Sequence, residues 1–354
     1  MKRRTSGRWM VVCAGLALLG ALRADPVDLA GADLRVEAAG DLAADGYVNT
    51  ADAAATLTLA FDDDVAALPS LSGAIRLVKL GVGTVTFPAA RAYTGGTVVS
   101  NGFLAAAEPA WLGAEDGAIT LAGGGLSFGR TTGEAIKLLR AVTVAAGTTG
   151  TLRNAAGGDR LDFGNSYVSF KDATLRLARA GDETKTAAFN IARTDSSSWQ
   201  GNGLATGGTL DVGPGTTLGV WEGDVFGGAN HQTDITLVVR EGASVNAGGS
   251  HTPLTPHIVL EGGSRLLTNG GLRGGGETTA GVENLIQTVS WKNYDFNRTV
   301  TVVPGSLTGA STATVEAANV HLAPLSQEAV IDVRAGAVLD VRASLWPAQN
   351  QANR

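Results

Sequence analysis

The feature that most constrains this chain is a unit repeated along most of its length. A short strand of alternating apolar and polar residues runs into a turn carrying glycine, and a second such strand follows. His257-Ile-Val-Leu-Glu-Gly-Gly-Ser-Arg-Leu-Leu267 and Ile235-Thr-Leu-Val-Val-Arg-Glu-Gly-Ala-Ser-Val-Asn246 are clear cases, and residues 167–177, 208–221 and 329–341 follow the same plan. Period-two alternation gives each strand one apolar face, and recurrence every ~20–35 residues is the spacing of a solenoid. The inward residues are mostly Val, Leu, Ile and Ala, sizes that stack in columns. The turns vary in length, short at Glu241-Gly242 and long across 267–289. Both points favour a coil over a β-sandwich. The expected fold is all-β, a right-handed parallel β-helix; at ~22 residues per coil and ~4.8 Å per coil it holds roughly 15 coils in about 70 Å.

Composition agrees with this reading. The chain has 354 residues, of which 49 are Gly and 44% are hydrophobic. Glycine without a Gly-X-Y period excludes collagen, and the apolar share is too high for a disordered chain. The segment Glu134-Ala-Ile-Lys-Leu-Leu-Arg140 has helical composition, but Val142-Thr-Val144 follows with no stop signal, so it reads equally as a strand entry.

The amino terminus has a different character. Lys2, Arg3, Arg4 and Arg8 precede an apolar run from Trp9 to Leu22, and Ala24 is a small residue at its end. A positive region before ~7–15 apolar residues is the pattern of a secretory signal, and ~20 would be needed to cross a bilayer. Residues 1–24 are therefore expected to be a signal peptide and 25–354 the mature domain, with no membrane-spanning segment. Cys13 lies within the apolar run and is the chain's one cysteine. The leader holds five basic residues and no acidic ones, so its removal takes the formal charge from −6 to −11. Such an acidic, thiol-free chain suits an oxidising compartment and argues against a nucleic-acid partner.

One segment is more specific than the rest. Leu77 and Lys79 lead to Gly81-x-Gly83-Thr84 and an alternating strand. Then come Tyr93-Thr94-Gly95-Gly96-Thr97 and a closing strand through Gly102-x-Leu104. This stretch, 77–104, resembles the autotransporter-associated β-strand repeat of bacterial passenger domains. Pro88-Ala-Ala-Arg91 departs from the family, which has a small polar turn with Asn there. The resemblance implies a β-helical passenger in which the repeat is an element of folding and export, not an active site. The residues themselves suggest glycine corners between strands, Tyr93 covering a corner, and the Lys79 head in solvent with its stem along the coil.

Residues able to do chemistry are scattered. His231, His251, His257 and His321 are the only histidines, and no spacing among them indicates a metal, so neither metal nor cofactor is expected. Asp62-Asp63-Asp64 reads as a solvated turn rather than a calcium site, since successive residues on an extended chain face opposite ways. Charges gather at Arg153, Asp159, Arg160 and Asp162, and again at Arg176, Arg179, Asp182 and Glu183. Paired carboxylates in a groove would suit a secreted polysaccharide lyase or glycoside hydrolase, the alternative reading. Gly123-Gly-Gly125 and Gly274-Gly-Gly276 read as turns. Trp199, Trp221, Trp291 and Trp346 suit coil capping or sugar stacking. The favoured expectation is a secreted or cell-surface protein of a Gram-negative-type bacterium, structural or adhesive and not an enzyme. Its partners would be surface glycans or envelope components.

Overall fold

A computed structural model describes residues 25–163, 168–191, 207–220, 235–247, 252–253, 257–268, 293–296, 299–322 and 330–346. The expected leader, His231, His251, Trp199, Trp221, Trp291 and Gly274-Gly-Gly276 lie outside these residues.

Among the described residues every strand pairing is parallel, and each strand lies beside one contributed by a neighbouring coil of the chain. The chain is a parallel β-helix. The described strands form four sheets. Sheet 1 has four strands, from Val27–Asp28 to Ala92–Tyr93, and sheet 2 has seven, from Leu34–Val36 to Val168–Ser169. Sheet 3 has ten, from Thr84–Phe87 to Val330–Val333, and sheet 4 has ten, from Ile136–Leu138 to Val338–Trp346. Near the amino end a coil passes from sheet 1 to sheet 2 to sheet 3; farther along, sheet 4 is the third face. Where sheet 1 ends, the 3₁₀ turn Pro109–Trp111 stands in for a strand. Arg140, 4% exposed, fastens it by donating to the carbonyl oxygens of Pro109 (3.2 Å), Leu112 (2.9 Å) and Ala114 (2.8 Å). The segment 134–140 forms the strand Ile136–Leu138.

The core follows from register. In sheet 3, Val85, Leu104, Leu126, Leu152, Leu177, Val212, Val239, Leu260 and Val302 lie opposite one another in successive strands, and each is fully buried. Each such side chain contributes roughly 1.5–3 kcal/mol by leaving water. Because strand parity is strict, a column fixes which residues face inward whatever their chemistry.

That rule corrects the expectation for Lys79. Its strand, Ile75–Lys79, pairs so that Lys79 stands between Leu59 and Val99, both buried. The side chain is fully buried rather than solvated. Its ammonium donates to the Gly81 carbonyl oxygen and lies 5.9 Å from the centre of the Phe61 ring. Burial lowers its pKa from the usual lysine value, against the pull of Asp62 and Asp64. Tyr93 is likewise an interior residue. Its hydroxyl pairs with Thr97 Oγ1 (2.7 Å) and donates to the Leu112 carbonyl oxygen (3.0 Å).

Candidate functional site

The stretch 77–104 maps onto a little more than one coil. Leu77 and Lys79 end a strand of sheet 2, and Thr84 opens a strand of sheet 3. Tyr93 closes sheet 1, Thr97 re-enters sheet 2, and Leu104 returns to sheet 3. Its glycines serve two purposes. At Gly81 a Cβ would collide with the Phe61 carbonyl oxygen of the preceding coil, and at Gly83 with that of Asp63, so these corners require close backbone approach. Gly96 and Gly102 instead have φ of +79° and +62°, which glycine adopts without strain. Thr94 and Gly95 complete the corner between Tyr93 and Thr97, with Gly95 N donating to Ile75 O at 2.9 Å. All the motif residues thus shape or fill the coil.

Asp62 and Asp64 belong to the same construction. Asp62 Oδ1 accepts from the Val82 amide (2.9 Å) and Asp64 Oδ1 from the Thr84 amide (2.6 Å), each one coil onward. Asp33 does the same for Thr56 at 2.7 Å. Acidic corners satisfy backbone donors that a turn leaves without a sheet partner. No group of three or more His, Cys, Asp or Glu able to hold a metal occurs among the described residues.

The two charge clusters resolve into local ties. Asp159 accepts from Arg130 Nε (3.1 Å), the Thr132 amide (2.8 Å) and hydroxyl (2.9 Å), and the Gly133 amide (2.8 Å). Burial works to raise its pKa, but these donors outweigh it and hold the carboxyl below the usual value. Asp162 pairs with Arg160 two residues away at 2.6 Å. The Arg153 guanidinium lies 3.4 Å from the centre of the Phe103 ring. Arg179 donates to the carbonyl oxygens of Glu183 (2.6 Å) and Lys185 (3.2 Å), and Asp182 accepts from the Thr184 amide at 2.9 Å.

A polar network that sequence reasoning missed crosses sheet 3. Arg176, Asp211 and Val238 lie opposite one another on its outer face. Asp211, 1% exposed, accepts from Arg176 Nη2 (2.9 Å) and Arg240 Nε (2.8 Å). Arg240 Nη1 also reaches Glu261 Oε1 (2.9 Å), whose Oε2 accepts from the Glu241 amide (2.9 Å) and the Ser306 hydroxyl (2.6 Å). Glu241 accepts from the amides of Leu307 (2.6 Å) and Thr308 (2.9 Å) and from the Thr308 hydroxyl. The Thr308 hydroxyl and amide hold the Glu241 pKa below the usual carboxylate value. Burial works to raise Glu261, but Ser306, the Glu241 amide and Arg240 together hold it down. Asp211 in turn raises Arg240. A general acid at neutral pH needs the opposite shift. The arrangement is an ionic staple fastening successive coils and the 304–311 turn.

Beside the staple, on the same outer face, runs a ladder of side chains. Thr149, Thr174, Thr209, Thr236, His257 and Thr299 stand opposite one another in register, each half-buried. At ~4.8 Å between strands this is a straight ridge of hydrogen-bonding groups. Its signal in the sequence is a Thr placed just before the first inward residue, as in Thr174-Leu175, Thr209-Leu210 and Thr236-Leu237. Among the described residues no helix is long and apolar enough to cross a membrane.

Comparison with protein-family models, with curated proteins and with solved structures finds no match.

Proposed function

We propose that this chain is an exported β-helical protein of the bacterial surface or its surroundings, with a structural or adhesive role. The observation that carries this reading is the outer face of sheet 3, where a ladder of threonines runs coil after coil beside an ionic staple that stiffens it. A stiff, regularly spaced, hydrogen-bonding ridge suits extended partners with their own repeat, such as surface glycans or other envelope components. The basic and apolar pattern of residues 1–24 supports export. The resemblance at 77–104 supports a repeat that helps the chain fold after crossing a membrane, since a solenoid can form coil by coil from one end.

The test uses the full chain with its own leader in a Gram-negative host. The expected result is a mature amino terminus at Asp25, release or surface exposure on intact cells, and retention on an array of surface glycans or envelope fractions. Replacing Thr174, Thr209 and Thr236 together by Val is expected to abolish retention while leaving the circular dichroism unchanged. Unprocessed protein confined to the cytoplasm would contradict the proposal. Turnover of a glycan would favour a secreted lyase or hydrolase instead.

A further inference from the structure

Although the chain as a whole has a formal charge of −6, part of sheet 3 holds no acid at all. Five adjacent strands, from Thr84–Phe87 to Thr174–Ala180, contain no Asp or Glu and three arginines, Arg153, Arg176 and Arg179. Two of the three are satisfied within the protein. Arg176 pairs with Asp211, and Arg179 donates to the carbonyl oxygens of Glu183 and Lys185. Arg153 differs. Among the described residues it makes neither a hydrogen bond nor an ion pair, and its guanidinium lies 3.4 Å from the centre of the Phe103 ring.

Register builds this stack. Phe103, Gly125 and Thr151 stand opposite one another on the outer face, and Ala105, Ser127, Arg153 and Ala178 form the next outward column. Gly125 leaves a gap that the Phe103 ring fills, since a Cβ there would lie 2.6 Å from its Cε1. The ring therefore lies across the middle strand, and Arg153 reaches back over it from the strand beyond. Stacking fixes the guanidinium but leaves its five N–H donors unspent. Ser127 directly opposite and Thr151 two residues before place hydroxyl side chains beside it, while Ala105 and Ala178 are small. Burial lowers the Arg153 pKa from the usual arginine value. A charge partly withdrawn from water without a counter-ion gains from an anion brought to it.

We infer that Arg153, stacked on Phe103, is the carboxylate-binding residue of a site for acidic glycans, those containing uronic acids, on the outer face of sheet 3. The inference rests on the surface-glycan reading above and names the class of glycan. A guanidinium fork matches both oxygens of a carboxylate, and the Phe103 ring holds it in place before the ligand arrives. The Thr151 and Ser127 hydroxyls serve the sugar's own hydroxyls. The chain's overall negative charge opposes unspecific adsorption of a polyanion, so retention of one reports a local site.

Binding of the purified full chain to an immobilised galacturonate hexamer tests this, with the hexamer's methyl ester as the uncharged control. The parent is expected to bind the acid well above the ester. Arg153→Gln is expected to weaken binding of the acid by about tenfold or more at unchanged circular dichroism. Arg153→Lys keeps the charge without the fork and is expected to recover only part. Arg76, exposed on the outer face of sheet 2, controls for general attraction, and Arg76→Gln is expected to bind as the parent does. Equal binding of acid and ester overturns the inference, as does an Arg153→Gln variant that binds like the parent or an equal loss in Arg76→Gln. Each of these leaves the surface-glycan reading standing. A parent retained neither by the hexamers nor by surface glycans and envelope fractions overturns that reading as well.

Discussion

Lys79 lies directly opposite Val99 in sheet 2, its whole side chain within the core and its ammonium bonded to the Gly81 carbonyl oxygen. A charge in an aliphatic column persists because its one strong partner lies within reach on the same corner. Lys79→Met keeps the volume, removes the buried charge and leaves one carbonyl without its donor. The gain and loss are of similar size, so stability is expected to change by less than about 1 kcal/mol. Lys79→Ala leaves a cavity between Leu59 and Val99 and is expected to cost about 2–4 kcal/mol. Urea unfolding of the two variants checks this; a solvated lysine would make both nearly silent.

Asp211 is the hub of the staple, and Asp211→Ala strands Arg176 and Arg240. Both arginines retain contact with water, which limits the loss to about 1–3 kcal/mol. Arg176→Ala leaves Asp211 its second arginine and is expected to cost under about 1 kcal/mol. Chemical denaturation of both variants gives the comparison.

Acid acts on the same network. Glu241 and Glu261 are held below their ordinary value of 4.5 in the folded chain. Their contribution is complete above 4.5 and is lost as the pH falls through the folded values, because protons then bind the unfolded chain first. Unfolding midpoints measured from neutral pH down to the acid range should fall steeply in the parent. Glu241→Gln with Glu261→Gln should start lower and fall less.

Tyr93 reports from the opposite side of the pH scale. Burial pushes its pKa up to about 12, against the Thr97 hydroxyl and the nearby Arg140 charge. Between the ordinary value of 10 and about 12 the unfolded chain loses this proton while the folded chain keeps it, so the contribution to stability falls across that window. Ultraviolet titration of the folded protein should lose one late-ionising phenol in Tyr93→Phe, and that variant's alkaline decline should be shallower.

Gly81→Ala separates close approach from backbone conformation. The new methyl group would meet the Phe61 carbonyl, backbone that cannot swing aside, and a loss of about 3 kcal/mol or more is expected. Gly147 has φ of +73° with nothing near its Cβ position, so Gly147→Ala should cost only about 1 kcal/mol. Paired urea melts decide whether the corner is shaped by contact.

Strand positions were legible because alternation is local. The units at 208–221, 235–246 and 257–267 each became a strand of sheet 3 followed by one of sheet 4. The parity of Leu77 and Lys79 was also in plain view, yet the rule that lysines seek water masked it; the column, not the residue type, decides. The staple was not legible. Asp211 meets Arg176 from 35 residues earlier and Arg240 from 29 later, and Glu241 meets Thr308 from 67 away. Coils of unequal length hide which residues share a level until the register is known. The threonine ladder was hidden for the same reason, although each Thr-Leu step was visible alone.

Successive sequence units stack as coils, and spin-label distances measure that stacking. Thr58, Val78, Val98, Thr120, Thr143 and Ser169 stand opposite one another on the outer face of sheet 2. The chain's one cysteine is Cys13, so its replacement by Ser leaves a clean background for labelled cysteine pairs. At ~4.8 Å per strand, backbone separations of about 19 Å for Thr58 with Thr143 and about 24 Å for Thr58 with Ser169 are expected from double electron–electron resonance. A steady increment of about 5 Å per coil supports the account. Distances that fail to rise with each coil would contradict it.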